Sequence, residues 1–309
     1  FSFLTRQCRG GEQHIVLLQR VYSRPGAADR TFSENPPKKI RPPAVASTFY
    51  PGNVTELRNE VRNFLHAAGA DQTASQLKKD EISTLRVLIV PHAGYIYSGK
   101  IAASAYRLLQ QNQHQFKRVL LLGPAHRVWL QGAAFPAVDA FETPLGEIKL
   151  DKARMQKLSA EFSWISVNDE AHAEEHCLEV QLPFLQETLG DFDLLPLVVG
   201  ETKTEQLAEM IQQFSADTET LIVISTDLSH FHDYQTAQEK DERTANAIEL
   251  LEPQKLSPED ACGAYPLRGA LVAASENKWQ VHRLGLCNSG DTAGDYGRVV
   301  GYGAWALTA

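Results

Sequence analysis

Three histidines occupy equivalent places in this chain. His92 follows the apolar run Val87-Leu88-Ile89-Val90 after a single proline, and His126 follows Val119-Leu120-Leu121-Leu122 after Gly123-Pro124-Ala125. His230 follows Leu221-Ile222-Val223-Ile224 after Ser225-Thr226-Asp227-Leu228-Ser229. Imidazole is the commonest metal ligand and titrates near neutrality, so a set of imidazoles suits metal binding or proton transfer. One histidine placed this way is most simply a loop residue bonded to backbone. The same placement three times argues for a shared site, because each residue lies just past an apolar strand-like run, the edge where open α/β sheets bind ligands.

Cys262 adds a softer donor. Residues 266–274 read as a helix with Pro266 in its first turn, so the thiol should feel the positive end of the helix dipole. That predicts a lowered pKa and a thiolate fit for a metal. The plain alternative is a small buried apolar residue, the usual role of a free cysteine; the tight Gly263-Ala264-Tyr265 connection favours the metal reading. Asp227 and His230 are three apart and share a face if that turn is helical. The carboxylate could then orient the imidazole or relay a proton, while His232 would point elsewhere.

His172-Ala173-Glu174-Glu175-His176 fits the H-x-x-E-H pattern of inverted zinc peptidases. The pattern is short, and a solvated entrance to the next helix explains these acids as well. His176 and Glu179 nonetheless open that helix and can line the same crevice, which makes His176 a candidate catalytic group beside His230 and Asp227. The Gly-rich stretch at 288–295 lacks the lysine of a phosphate loop, and no GxGxxG follows the first strand. No G-x-S-x-G serine elbow is present either.

The elements that must position these groups alternate. Apolar runs at 87–90, 119–122, 194–199 and 221–224 read as buried strands, with later strands near 280–284 and 299–305. Helical spacing recurs between them at 54–65 (capped by Asn53), 101–109, 178–189, 207–214 and 236–251. Pro183 belongs in an early turn, and 71–80 reads as a polar loop. Alternating strands and helices predict a single α/β domain with a largely parallel or mixed sheet covered by helices on both faces. Residues 40–309 form that domain. Residues 1–39, rich in Arg and ending in a Pro-containing stretch, read as an atypical, poorly ordered extension.

A formal net charge of −8 argues against a general nucleic-acid or anionic-membrane binder, both of which use basic patches. No apolar run is long enough to span a bilayer. The four cysteines are scattered without a CxxC pair, which favours a reducing, cytoplasmic setting over a disulfide scaffold.

The segments Arg41-Pro42-Pro43-Ala44-Val45-Ala46-Ser47-Thr48-Phe49-Tyr50-Pro51, Val90-Pro91-His92-Ala93-Gly94-Tyr95, Leu122-Gly123-Pro124-Ala125-His126, Glu175-His176-Cys177-Leu178-Glu179-Val180-Gln181-Leu182-Pro183-Phe184, Ser225-Thr226-Asp227-Leu228-Ser229-His230 and Cys262-Gly263 resemble the Memo family, in the same order. The resemblance runs from residue 40 to the end. It implies a fold like that of the class III extradiol ring-cleaving dioxygenases, which hold non-haem iron. It implies a metal surrounded by His92, His126 and Cys262, with Asp227 and His230 close by. The dioxygenases use two histidines and a carboxylate, so Cys262 looks to replace the carboxylate; a softer thiolate favours Fe(II), Cu(I) or Zn. The resemblance also implies radical-SAM and AMMECR-type proteins as functional partners in prokaryotic relatives. For eukaryotic relatives it implies a motility-signalling role with phosphotyrosine-peptide binding.

The leading expectation is a metal-dependent, dioxygenase-like redox protein acting on an unknown small substrate. Two further readings are a peptide- or protein-binding scaffold with a relic metal pocket and a zinc-type hydrolase using metal-bound hydroxide.

Overall fold

Full burial on both faces explains why the central strands read as unbroken apolar runs rather than alternating ones. Residues 87–90, 119–122 and 221–224 are almost wholly inaccessible to solvent. In chain order the strands are β1 (Ile40–Arg41), β2 (Leu85–Val90), β3 (Arg118–Pro124), β4 (Ala133–Phe135), β5 (Ala140–Thr143) and β6 (Gly146–Lys149). They continue with β7 (Ile165–Val167), β8 (Asp193–Val199), β9 (Thr220–Ser225), β10 (His230–His232), β11 (Gln280–Asn288) and β12 (Val299–Thr308). The structure is a computed structural model that describes residues 37–70, 77–111 and 115–309. Lys38–Ala309 forms one compact unit. The expected N-terminal extension lies outside the described residues up to position 36.

The main sheet runs β10-β12-β2-β9-β3-β8-β4-β7, with β11 also on β12. Its centre, β2, β9, β3 and β8, is parallel. β12 joins β2 antiparallel, and β4 joins β8 antiparallel. The sheet is therefore mixed, and helices flank it. β1, β5 and β6 form a second, small sheet; the β5–β6 hairpin had no sequence signal because most of β6 is exposed and carries no apolar alternation.

Parallel pairing delivers the chemistry to one edge. Val90 pairs with Ser225, and Leu122 with Ile224, so the loops that follow β2, β3 and β9 emerge side by side. The helices are fixed by ordinary local signals. Asn53 Oδ1 accepts the Thr55 and Glu56 amides and starts Val54–Ala70. Asp233 caps Tyr234–Glu249 through the Thr236 amide. Pro183 sits in the first turn of Leu182–Leu189, where its missing amide costs nothing.

Three local expectations need correction. The helix foreseen from 178 starts as a 3-10 turn, Glu179–Gln181. Asp80 belongs to a short helix, Lys79–Ser83, rather than to a loop; residues 71–76 lie outside the described residues. The Gly-rich connection after β11 holds a short helix, Ser289–Ala293, because Asn288 and Asp291 cap each other's backbone amides. Among the described residues no helix is long and apolar enough to cross a membrane.

Candidate metal centre

His92 leaves the end of β2 and is 2% exposed. Its Nδ1 lies 2.9 Å from Ser225 Oγ. That hydroxyl spends its only proton on the Cys177 carbonyl at 2.6 Å and also accepts Gln181 Nε2 at 2.8 Å. Nδ1 of His92 must therefore carry the proton and donate, which leaves the Nε2 lone pair free. His126, past the end of β3, is locked in the same way. Its Nδ1 lies 2.9 Å from Glu175 Oε1, and Glu175 Oε2 accepts its backbone amide at 2.7 Å. An ionised carboxylate only accepts, so His126 also presents Nε2.

Glu175 is the hub of this loop. Besides His126 it receives the His176 and Cys177 amides at 3.0 and 3.1 Å. Burial pushes its pKa up, but the hydrogen bonds and charge from His126 and the amide donors outweigh that and hold it at about 2. His176 stacks on His126 with ring centroids 4.8 Å apart and sits edge-on to His92 at 5.4 Å. Its Nδ1 is 3.4 Å from Glu175 Oε1 but makes no hydrogen bond there. Phe49 covers its other side at 4.8 Å. The ligand atoms of His92, His126 and His176 all lie within 4.8 Å of one another.

Cys262 Sγ lies 3.2 Å from His92 Nε2 and receives the Asp227 amide at 3.3 Å. Gly263 is required here: a Cβ would stand 2.7 Å from Thr226 Cβ and 2.8 Å from the Ser225 carbonyl. The helix Ala264–Asn277 begins immediately after, as expected, yet the thiol pKa is not lowered. Burial and then the Asp227 carboxylate push it up, so the dipole loses to desolvation and a nearby negative charge. Cys262 is not a member of the three-imidazole group, although it touches His92.

Asp227 and His230 do not lie on a helical turn. Residues 226–229 run across the sheet edge, with the Thr226 amide on the Val90 carbonyl and the Leu228 amide on the Gly301 carbonyl. His230 then opens β10. Its Nδ1 donates to the Leu228 carbonyl at 2.7 Å, not to Asp227, and this leaves its Nε2 free. Asp227 Oδ1 instead accepts the His92 amide at 2.7 Å, while burial raises its pKa. The expected Asp227–His230 hydrogen bond is replaced by two separate anchors. His230 lines two clefts that reach the cluster. One, about 440 Å³, also has His176 and Asp227 in its wall; the other, about 480 Å³, has His126, His232 and Cys262.

His172 is not part of the site. It is buried, its Nε2 bonds the Ala134 carbonyl at 2.9 Å, and it packs on Phe141. The H-x-x-E-H pattern is thus split: His172 serves packing, while Glu175 and His176 serve the cluster; Glu179, three residues on, is buried in an ion pair with Arg41 rather than lining the crevice. Sequence reasoning missed Glu175 and Ser225 as the residues that hold the imidazoles; the H-x-x-E-H match contained Glu175 without revealing its partner His126, and no local pattern marks Ser225.

These side chains fit a transition metal. Two imidazoles have their second nitrogen locked by an acceptor, the arrangement that orients metal-bound histidines. His92 is held well below its usual pKa by burial and then by His126, and His176 lies at about 4 by burial and then by His92. Both are therefore neutral at pH 7, the form that binds metal.

A family model described as Memo-like protein matches residues 41–306. A MEMO1 family protein of Aquifex aeolicus is 34% identical over 278 residues, covering 85% of this chain and 97% of the relative. One from Saccharolobus solfataricus is 32% identical with the same coverage of both chains. Among solved structures, an uncharacterized protein from Escherichia coli K12 aligns at a TM-score of 0.47 and 13% identity, over 72% of this chain and 99% of that chain. With its fold unit matched almost end to end and relatives above 30% identity, the chain belongs to the Memo-like protein family.

Proposed function

We propose that this protein holds Fe(II), with Cu or Zn as competing ions, through His92, His126 and Cys262, and uses it for redox chemistry on a small substrate. The observation that carries the reading is the pair of imidazoles past the ends of β2 and β3, parallel strands on either side of β9, each fixed so that Nε2 presents a lone pair to a common space. The 3.2 Å contact between Cys262 and His92 supports the sulfur as the third donor: loss of the thiol proton frees both atoms at once. His176 stands beside them as a further nitrogen. When bound there, iron or copper would supply one-electron chemistry, which zinc would not.

The chain's own residues do the rest. His230, with Nδ1 anchored and Nε2 free, holds or moves a proton at the wall of the substrate cleft. Asp227 keeps the His92 loop in place from a buried position. Cys262 takes the place of the dioxygenase carboxylate and increases the preference for a soft ion. Cytoplasmic residence, supported by the scattered cysteines, and functional partnership with radical-SAM and AMMECR-type proteins, supported by the family resemblance alone, complete the reading. The test is metal analysis of protein expressed with iron and purified without oxygen. Stoichiometric iron in the wild type and its loss in a His92→Ala, Cys262→Ser double variant are expected; full occupancy in that variant would overturn the proposal.

A further inference from the structure

The cleft walled by His176 and Asp227 carries a cation that the rest of the protein does not use. Phe49, Tyr97 and Tyr302 supply aromatic surface, and His176, His230 and Arg298 line the same cleft. Arg298 is exposed, and its guanidinium lies over the Phe231 ring at 5.0 Å. No carboxylate among the described residues comes within ion-pair distance of it. The two acids in the same cleft are otherwise engaged: Asp295 Oδ1 accepts the Gly297 amide at 3.0 Å, and Asp227 Oδ1 accepts the His92 amide at 2.7 Å. Stacking on Phe231 restricts the long side chain while leaving its N–H fork open. A planar fork of this kind matches a carboxylate with two parallel hydrogen bonds.

Resting on the reading of this site as a metal centre, we infer that the cleft binds a small, flat organic carboxylate. Its apolar body lies between Phe49, Tyr97 and Tyr302, and its carboxylate is held by Arg298. The cavity of about 440 Å³ falls within the range that encloses a small organic ligand. The anion fixes which end of the ligand turns toward the imidazoles, so Arg298 determines both selection and orientation.

Benzoate, its neutral isostere benzamide and phenyl phosphate serve as probes, with binding followed by ligand-observed NMR on the full chain, metal-free and zinc-loaded. Benzoate is expected to bind roughly fivefold to tenfold more tightly than benzamide. Arg298→Gln should abolish that preference, Arg298→Lys should retain part of it, and Tyr97→Ala should weaken both ligands alike. Zinc uptake by Arg298→Gln should match the wild type, which shows that the variant is folded. Equal binding of benzoate and benzamide, no binding of either, or a preference that survives Arg298→Gln would each overturn the inference. Tighter binding of phenyl phosphate than of benzoate would overturn the assignment to carboxylates. A preference that persists in protein unable to take up any metal would sink the metal reading and leave this one standing.

Discussion

The Arg41 guanidinium and the Glu179 carboxylate meet at 2.7 Å, with side-chain exposures of only 5% and 0%. Arg41 also donates to the His172 and Glu175 carbonyls at 2.6 and 2.7 Å. Glu179 in turn receives the Ala44 and Val45 amides and the Tyr50 hydroxyl. The pair therefore binds residues 41–50 to the loop that carries Glu175 and His176. Removing one partner strands a buried charge, so Arg41→Ala should cost about 3–5 kcal/mol in denaturant unfolding. A loss below about 1 kcal/mol would show that the loop is held by something else.

Ser225 decides which nitrogen of His92 is protonated. Ser225→Ala removes the acceptor for Nδ1 while leaving the strand intact. Unfolding should cost about 1–3 kcal/mol less because the Cys177 carbonyl and the Gln181 amide lose a buried partner as well. Metal affinity should fall roughly 10- to 100-fold. Competition with a chromophoric chelator measures it, and an unchanged dissociation constant would refute the role.

Glu175 should matter for both affinity and acid stability. Its folded pKa is about 2, below the ordinary carboxyl value. The stabilisation it provides is therefore complete above pH 4.5 or so and is lost as the pH falls toward 2. Glu175→Gln should flatten the acid limb of stability against pH between those limits. An identical acid limb in the variant would count against the assignment.

Cys262 gives metal uptake a pH signature. Its thiol is pushed up by burial and by Asp227, whereas His92 and His176 are already neutral at pH 7. Binding through the sulfur should release roughly one proton per metal near neutrality, detectable by titration in buffers of different ionisation enthalpy. Cys262→Ser should abolish that release. A wild type that releases none would assign the metal to the three imidazoles alone.

Tyr50, Tyr95 and Tyr106 all have pKa values raised, in each case chiefly by burial. A raised phenol pKa stabilises the fold fully below the ordinary value near 10 and ceases to do so as pH climbs beyond it. Tyrosinate absorbance should thus appear together with loss of circular dichroism. Ionisation of these phenols in a still-folded protein would contradict the burial described.

The strand-end histidines were legible because strands buried on both faces leave an unmistakable apolar run, and His92 and His126 follow such runs directly. The parallel sheet was legible for the same reason. What escaped depends on contacts that sequence spacing does not encode. Glu175 sits among other acids, and its partner His126 lies 49 residues earlier. Arg41 finds Glu179 across 138 residues. The Asp227–His230 spacing suggested a helical turn, but backbone bonds to Val90 and Gly301 hold that loop extended. At Cys262 a local dipole argument was outweighed by Asp227, brought in from 35 residues away.

β12 braces one side of this arrangement. It pairs with β2, which carries His92, and with β10, which starts at His230; its Gly301 exchanges backbone bonds with Leu228 and Ser229. The first half of the loop, at Thr226 and Asp227, is held by β2 and His92, but Leu228, Ser229 and His230 lack their backbone partners until residues 299–301 have been made and inserted. On a ribosome, the nascent chain would carry that segment unpaired on this side for most of synthesis, and the cleft walled by His230 would be completed only when the last strand enters the sheet.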